Sequence, residues 1–293
     1  MKVLVFGGLG RYSERITGKL ADAYEVSVFE LKDTKPDFPC HCIAGNVLDA
    51  DSVARACEGH DAIITFIAGD MEVSVNGIRN ILEGAEKTGV DHVVYTSSGG
   101  MSYPIPVYDN HHTYNPAFFD SDFWEDFFPI TEKFGLFPGS EISGYFFHKW
   151  LCEQVCERYS RKGLRVTAIR PGNLMWDDMT APGNDNEKVT NPLHLLVNGH
   201  ATVTDAARLY GLVLQHRPSD YEVYHLSNDT PYANLSMEKA QSDLGFESSD
   251  PEVYLNFYKR RVWTEPYTNA LDAGIPAGVL RRLEAFKEMA ATD

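Results

Sequence analysis

Cationic side chains, cysteines and long apolar runs are all scarce in this chain of 293 residues. Lys and Arg number 26 against 42 Asp and Glu, giving a formal charge of −16. Phosphate backbones and anionic lipid are held by clustered basic side chains, so nucleic acid and membrane surfaces are excluded as expected partners. The five cysteines are odd in number and scattered, which does not make a disulfide framework. Cys40-His41-Cys42 lacks the second pair that closes a zinc site, and Cys152 and Cys156 stand one helical turn apart. Reduced thiols and no metal are therefore expected. The opening MKVLVFGGLG is too short for a signal segment, and no apolar run approaches the ~18 residues of a membrane span. The expectation is a cytoplasmic protein.

With 43% hydrophobic and 23% charged residues, the chain can bury a sizeable core. Seven short β-rich runs, KVLVFG, YEVSVFE, HCIAG, DAIITFIAG, HVVYTSS, LRVTAIRPG and YEVYHLS, alternate with helix-like segments. Near-continuous apolar strands with helices between them predict an α/β fold, a doubly wound parallel sheet with ligands at the strands' carboxyl ends. Two stretches, 103–143 and 230–293, break the alternation and are expected to build around the site.

The first run ends in Gly7-Gly8-Leu9-Gly10-Arg11-Tyr12-Ser13, and a helix follows at once. Glycines there let the backbone turn tightly and approach a pyrophosphate seated on the helix N-terminus. Ser13 stands at the third glycine position and is small enough to keep helix and strand close. The second run ends at Glu30, about 20 residues on, where an acid accepts bonds from an adenosine ribose. A carboxylate repels a 2′-phosphate, which favours NAD; Arg11 and Lys32 nearby keep NADP open.

Tyr145 and Lys149 are four apart in GYFFHKWLCEQV, so a helix places them on one face. The ammonium can then stabilise the phenolate, and a tyrosine so tuned exchanges protons near neutral pH. Ser97 and Ser98 end the fifth run, where a hydroxyl can hold the same substrate oxygen.

Together these residues resemble the extended short-chain dehydrogenase/reductase family, the NAD-dependent epimerases, dehydratases and sugar dehydrogenases. The resemblance runs from residue 1 to about 228. It takes in Gly7-Gly8-x-Gly10, Gly45-Asn46-Val47, Ala68, Asn76, Ser98, Tyr145-x-x-x-Lys149, Arg170-Pro171-Gly172-Asn173 and Val203-Thr204-Asp205. It implies a Rossmann domain over 1–175, interrupted by an insertion at 103–143, and a small substrate lobe over 176–293 from which 201–228 returns to the first domain. It further implies Ser98 orienting the reacting oxygen, Tyr145 as acid or base, and Lys149 on the nicotinamide ribose. Gly7, Gly8, Leu9, Gly10, Arg11, Tyr12, Glu30, Asn46, Val47, Ala68, Tyr145, Lys149 and Pro171 are expected to touch the cofactor. Ser98, Gly99, Tyr145 and Asn173 are expected to touch substrate. The helices at 73–88 and 144–162 resemble a family dimer interface, with Trp150 as an anchor, so a homodimer is expected.

Departures from the pattern bear on the substrate. Residues 103–147 hold 14 of the 35 aromatic side chains, enough for an apolar lid or for a local mini-core. Phe119, Phe123 and Phe127 at helical spacing are expected in a core, and Asp109, His111, His112, Asp120 and Asp122 in a solvated loop. From 176 to 205 the only Lys or Arg is Lys188, and from 99 to 143 it is Lys133. Two buried phosphates need charge-assisted partners, so the expected substrate is a small neutral sugar, polyol or other secondary alcohol. Arg208, Arg260 and Arg261 keep nucleotide sugars open. Nothing between Pro171 and Ala207 supplies the arginine that uronate-binding members use. Gly99 and Gly100 stand where dehydration needs an acid/base pair. The expected activity is NAD-dependent oxidation or reduction, with epimerisation and a non-catalytic dinucleotide sensor as the alternatives.

Overall fold

A computed structural model describes residues 1–102, 129–136, 144–177, 199–229 and 233–257, with 284 and 288. Its strands are β1 (Lys2–Phe6), β2 (Glu25–Glu30), β3 (His41–Ala44), β4 (Ala62–Thr65), β5 (His92–Thr96), β6 (Arg165–Pro171), β7 (Asn173–Met175), β8 (His200–Thr202) and β9 (Glu222–Leu226). Seven of them form one sheet in the order β3-β2-β1-β4-β5-β6-β9, every pair parallel. These are the seven runs expected from the sequence, in a doubly wound arrangement. The order reverses between β1 and β4, where such a sheet opens a crevice beyond its carboxyl ends.

Strand alternation divides the core. Val3, Val5, Val26 and Val28 pack on one face with Ile16 and Leu20 of α1 (Ser13–Ala21). Leu4, Phe6, Ile63 and Val93 pack on the other with Val53 of α2 (Ala50–Cys57) and Ile78, Ile81 and Leu82 of α3 (Gly77–Thr88). Each such side chain stabilises the fold by roughly 1.5–3 kcal/mol when fully buried. Cys152 and Cys156 of α4 (Tyr145–Ser160) lie in this second cluster as small buried thiols. The first face also receives Leu209, Tyr210 and Val213 of α5 (Val203–His216). The stretch 201–228 thus rejoins the sheet through α5 and β9.

Asp49 caps α2 by accepting from the Asp51 and Ser52 N–H groups, and Thr202 caps α5 by accepting from Asp205. Beyond β9 come α6 (Glu238–Leu244) and α7 (Pro251–Phe257). Tyr254 of α7 donates to the Asp205 carboxylate, whose other oxygen accepts the Ser249 N–H at 2.7 Å, so this aspartate joins the C-terminal part to α5. The parallel pair β7–β8 has no counterpart among the expected elements: each strand is three residues long, too short to register as a pattern.

Most of the 103–143 insertion, including Asp109, His111, His112, Phe119, Asp120, Asp122, Phe123 and Phe127, lies outside the described residues. Its described part, 129–136, is fastened at Ile130, which is buried and exchanges backbone bonds with Asn234 and Ser236. No helix among the described residues is long and apolar enough to cross a membrane.

Candidate active site

The turn after β1 is closed by its own atoms. Gly7 sits at φ +70°, a conformation that costs an L side chain energy and glycine very little. Ser13 Oγ donates to the Gly7 carbonyl at 2.8 Å and accepts the Gly10 N–H at 2.9 Å. The serine is therefore more than a small spacer: its hydroxyl fastens both ends of the turn. From the end of β2, Glu30 Oε1 accepts the Leu9 N–H at 2.7 Å. The acid cannot swing away without releasing the turn.

Between these strand ends lies a cavity of about 460 Å³. Of the residues expected at the cofactor, Gly7, Gly10, Glu30, Asn46, Val47 and Ala68 line it. Phe29, Leu31, Leu48, Phe66, Ile67 and Val73 also line it and were not anticipated, because apolar residues at strand ends and in the loops beyond them carry no signal of their own. Gly8, Leu9, Arg11 and Tyr12 belong to the turn but not to the cavity wall. The Arg11 guanidinium lies 5.2 Å from the Tyr12 ring centre and 5.6 Å from that of Trp176, and Arg15 lies 4.1 Å over the same tryptophan. Cation–π contact thus ties the turn to the segment after β7. Burial, partly opposed by Arg11, raises the Tyr12 phenol above its ordinary pKa.

The loops across the cavity are pinned as well. Val47 O accepts from Asn80 Nδ2 of α3 at 2.9 Å, and Asn46 Oδ1 accepts the Leu48 N–H at 3.0 Å. After β4, Ser74 Oγ bonds both the N–H and the carbonyl of Gly69 inside a π-helical turn, Glu72–Asn76, that leads into α3. A glycine turn at a helix start, a fixed carboxylate and flat apolar walls form a donor and acceptor set that fits a dinucleotide.

Tyr145 opens α4 with 41% of its surface exposed, whereas Lys149, one turn on, is 3% exposed. The Lys149 Nζ donates to the carbonyls of Thr96 at 2.6 Å and Ile67 at 3.3 Å, at the carboxyl ends of β5 and β4. It lies 5.6 Å from the Tyr145 ring centre. Burial lowers the Lys149 pKa to about 8; Cys152, Glu153 and Cys156 pull it partly back up. Ser98 is half-buried and its Oγ accepts the Gly100 N–H at 3.3 Å. Neighbouring Ser97 is buried, and its hydroxyl has no hydrogen-bond partner among the described residues.

Gly99 and Gly100 follow from close approach. A Cβ on Gly99 would stand 2.6 Å from Leu235 Cδ1, and one on Gly100 would stand 2.4 Å from the Phe146 ring. Arg170 at the end of β6 bonds both oxygens of Glu153 on α4, at 2.9 and 2.7 Å, in a pair that is almost fully buried. The same guanidinium donates to the carbonyls of Glu132 and Phe134, so it clamps α4 and the described part of the insertion to the sheet. Pro171 ends β6, and Asn173 opens β7 with its N–H on the Gly199 carbonyl at 2.7 Å. Cys40 and Cys42 Sγ stand 3.5 Å apart; among the described residues no three His, Cys, Asp or Glu side chains gather as metal ligands.

A glycine turn closed by Ser13, an acid fixed at the second strand's end and a seven-stranded parallel sheet define a dinucleotide-binding α/β protein. The chain belongs to the NAD(P)H-binding family, whose model matches residues 7–208. No curated protein matches it. Among solved structures it is similar to a mutated uronate dehydrogenase, with TM-score 0.65 and 18% identity over 89% of this chain and 86% of that one. It is similar to uronate dehydrogenase from Agrobacterium tumefaciens, at 0.65 and 16% over 89% and 88%. It also resembles UDP-glucose 4-epimerase from Bifidobacterium longum in complex with NAD+ and UDP, at 0.66 and 15% over 89% and 99%. At these identities the likeness is one of fold.

Proposed function

We propose that the protein is an NAD-dependent oxidoreductase that transfers a hydride between the nicotinamide and a small neutral sugar, polyol or other secondary alcohol or carbonyl, with Tyr145 as acid/base. One observation carries this reading. Lys149 rests its buried ammonium on the carbonyl of Ile67, a residue of the cavity wall, while Tyr145 one turn earlier stands open to solvent. That geometry joins the cofactor cavity to an accessible phenol.

Bound NAD supplies the hydride acceptor. In alcohol oxidation the C–H hydride leaves with its electron pair, and the hydroxyl proton passes to the Tyr145 oxygen; reduction reverses both transfers. The nearby ammonium favours the phenolate form of Tyr145. Ser98 offers a hydroxyl to orient the reacting oxygen, and Gly99 and Asn173 complete the substrate side. Glu30, held in place by Leu9, suits two ribose hydroxyls rather than a phosphate, which supports NAD over NADP.

Among the described residues few cations remain for a diphosphate; Lys188, Arg260 and Arg261 lie outside them. Arg170 is committed to Glu153 and two carbonyls, and Arg11 and Arg15 pack on Trp176. This supports an uncharged substrate. Dehydration is disfavoured because side chains at positions 99 and 100 would collide with Leu235 and Phe146. Epimerisation at the same tyrosine is the second reading, supported by the likeness to UDP-glucose 4-epimerase. A homodimer through α3 and α4, with Trp150 stacked on Phe147 at its surface, accords with the same fold.

The test is to mix the purified protein and NAD with a panel of neutral sugars, polyols and secondary alcohols and to follow NADH absorbance. NADH formation with a neutral compound is the expected result. NAD that copurifies, with sugar interconversion and no net NADH, would establish epimerisation instead.

A further inference from the structure

Tyr210 of α5 has no part in the chemistry described so far, yet it reaches the centre of the site. It is 1% exposed, and its hydroxyl lies 2.6 Å from Thr96 Oγ1. Its ring packs against Phe66 of the cavity wall, with centres 5.2 Å apart. Burial raises its pKa, the Thr96 bond draws it partly down, and nearby Tyr145 adds to the rise, so the phenol stays un-ionised.

Thr96 is the last residue of β5, and three features of the site meet there. Its carbonyl carries the Lys149 ammonium at 2.6 Å. Ser98 follows two residues later. On the β6 side its backbone is paired with Ile169, whose carbonyl also accepts the Ser97 N–H at 2.7 Å. On the α5 side only its hydroxyl is anchored, and the anchor is Tyr210. Holding Oγ1 restrains the Cα of Thr96 from the α5 side, and with it the carbonyl attached to that Cα. No proton wire is formed, because Oγ1 and the carbonyl oxygen are joined through carbon.

We infer that Tyr210 is a positioning residue for the Tyr145–Lys149 pair, its hydroxyl holding Thr96 so that the Thr96 carbonyl points at the Lys149 ammonium. The inference rests on the roles proposed above for Tyr145 and Lys149. It brings α5, whose Tyr210 lies 114 residues beyond Thr96, into the site. A tyrosine that merely fills the core would show the same bond but would not be felt at Lys149.

The test follows the titration of Lys149 by NMR in protein carrying ¹³C-labelled lysine, with the signal assigned from a Lys149→Arg variant. Tyr210→Phe removes only the hydroxyl; Thr96→Val removes its partner, and Thr96→Ser keeps it. Tyr95 on β5, and Tyr145, Cys152, Glu153 and Cys156 on α4, also face Lys149 and are unchanged in all three. The wild-type midpoint is expected at about 8. With its acceptor loosened, the ammonium is less stabilised, and the midpoint falls by ~0.5–1 unit in Tyr210→Phe and in Thr96→Val. The double variant falls no further than either single one, because both remove one bond. Thr96→Ser keeps the wild-type midpoint. Unchanged midpoints in folded Tyr210→Phe and Thr96→Val would overturn the inference. If Tyr210→Phe does not fold, Thr96→Val against Thr96→Ser reads the same bond. The titration needs no substrate, so it stands apart from turnover: a shifted midpoint with full activity in Tyr145→Phe would sink the proposed reaction and keep the positioning role.

Discussion

On the cofactor side the chain holds its site by reaching short distances. Ser13 bonds residues three and six positions back, and Glu30 reaches Leu9 across 21. On the Tyr145 side the fixed groups come from far away: Lys149 meets Thr96 across 53 residues and Ile67 across 82, and Tyr210 meets Thr96 across 114. The first arrangement needs only β1, α1 and β2. The second requires β4, β5, α4, α5 and β6 to be assembled first. Nucleotide binding and catalysis should therefore respond differently to damage.

The largest effect that separates the two sides is expected from Arg170→Met. It leaves the Glu153 carboxylate buried without its partner and releases the Glu132 and Phe134 carbonyls. Breaking a buried pair on one side costs about 3–5 kcal/mol, measurable as a lower denaturant midpoint. NAD affinity of the protein that remains folded is expected to stay near wild type, since neither Arg170 nor its partners line the cavity. A parallel collapse of affinity would show that the two sides are not independent.

Glu30→Ala probes the opposite side. It removes both the Leu9 contact and the proposed ribose acceptor, and hydrogen bonds to a charged group contribute about 1.5–3 kcal/mol. A 10- to 100-fold weaker Kd for NAD is expected by calorimetric titration on that basis; unchanged affinity would place the dinucleotide elsewhere.

Acid should act on the sheet beneath both sides. Burial, aided by neighbouring guanidiniums, depresses the pKa of His92 and of His225 to about 3. The unfolded chain takes up those protons below about 6.5, whereas the fold refuses them until about 3. Stability is thus retained above the upper value and lost as pH falls through the window. His225→Leu should flatten that decline in denaturation curves; an unaltered slope would assign the acid sensitivity to other groups.

The smallest effect concerns Lys149. Its ammonium is half lost at about pH 8, so turnover should show a falling limb there. Lys149→Arg, charged at every accessible pH, should remove the limb whatever its cost in rate. A limb that persists in that variant would belong to another group.

The same contrast explains what could be read from sequence. Parallel strands of the sheet interior are written as near-continuous apolar runs, and the part-exposed edge strand β3 still shows a short one, so all seven were legible, and so was a glycine turn followed by Glu30. Both are local patterns. Ser13 was legible as small but not as the hydroxyl that closes the turn. The four-residue spacing showed that Tyr145 and Lys149 share a helix face. It could not show that the ammonium would rest on the Ile67 and Thr96 carbonyls, 5.6 Å from the phenol ring centre. Arg170 stood out as part of a motif, but its clamp on Glu153 and on the 129–136 segment depends on residues that meet only in the fold. Tyr210 gave no signal at all, because one tyrosine in an apolar helix looks like core.

The most direct test is the initial rate of NADH formation on the best neutral substrate, measured for wild type and Tyr145→Phe at matched NAD saturation. Loss of one phenol hydroxyl is expected to lower the rate at least ~10²-fold while NAD still binds. A variant that turns over as fast as wild type would contradict the assignment of the proton transfer to Tyr145.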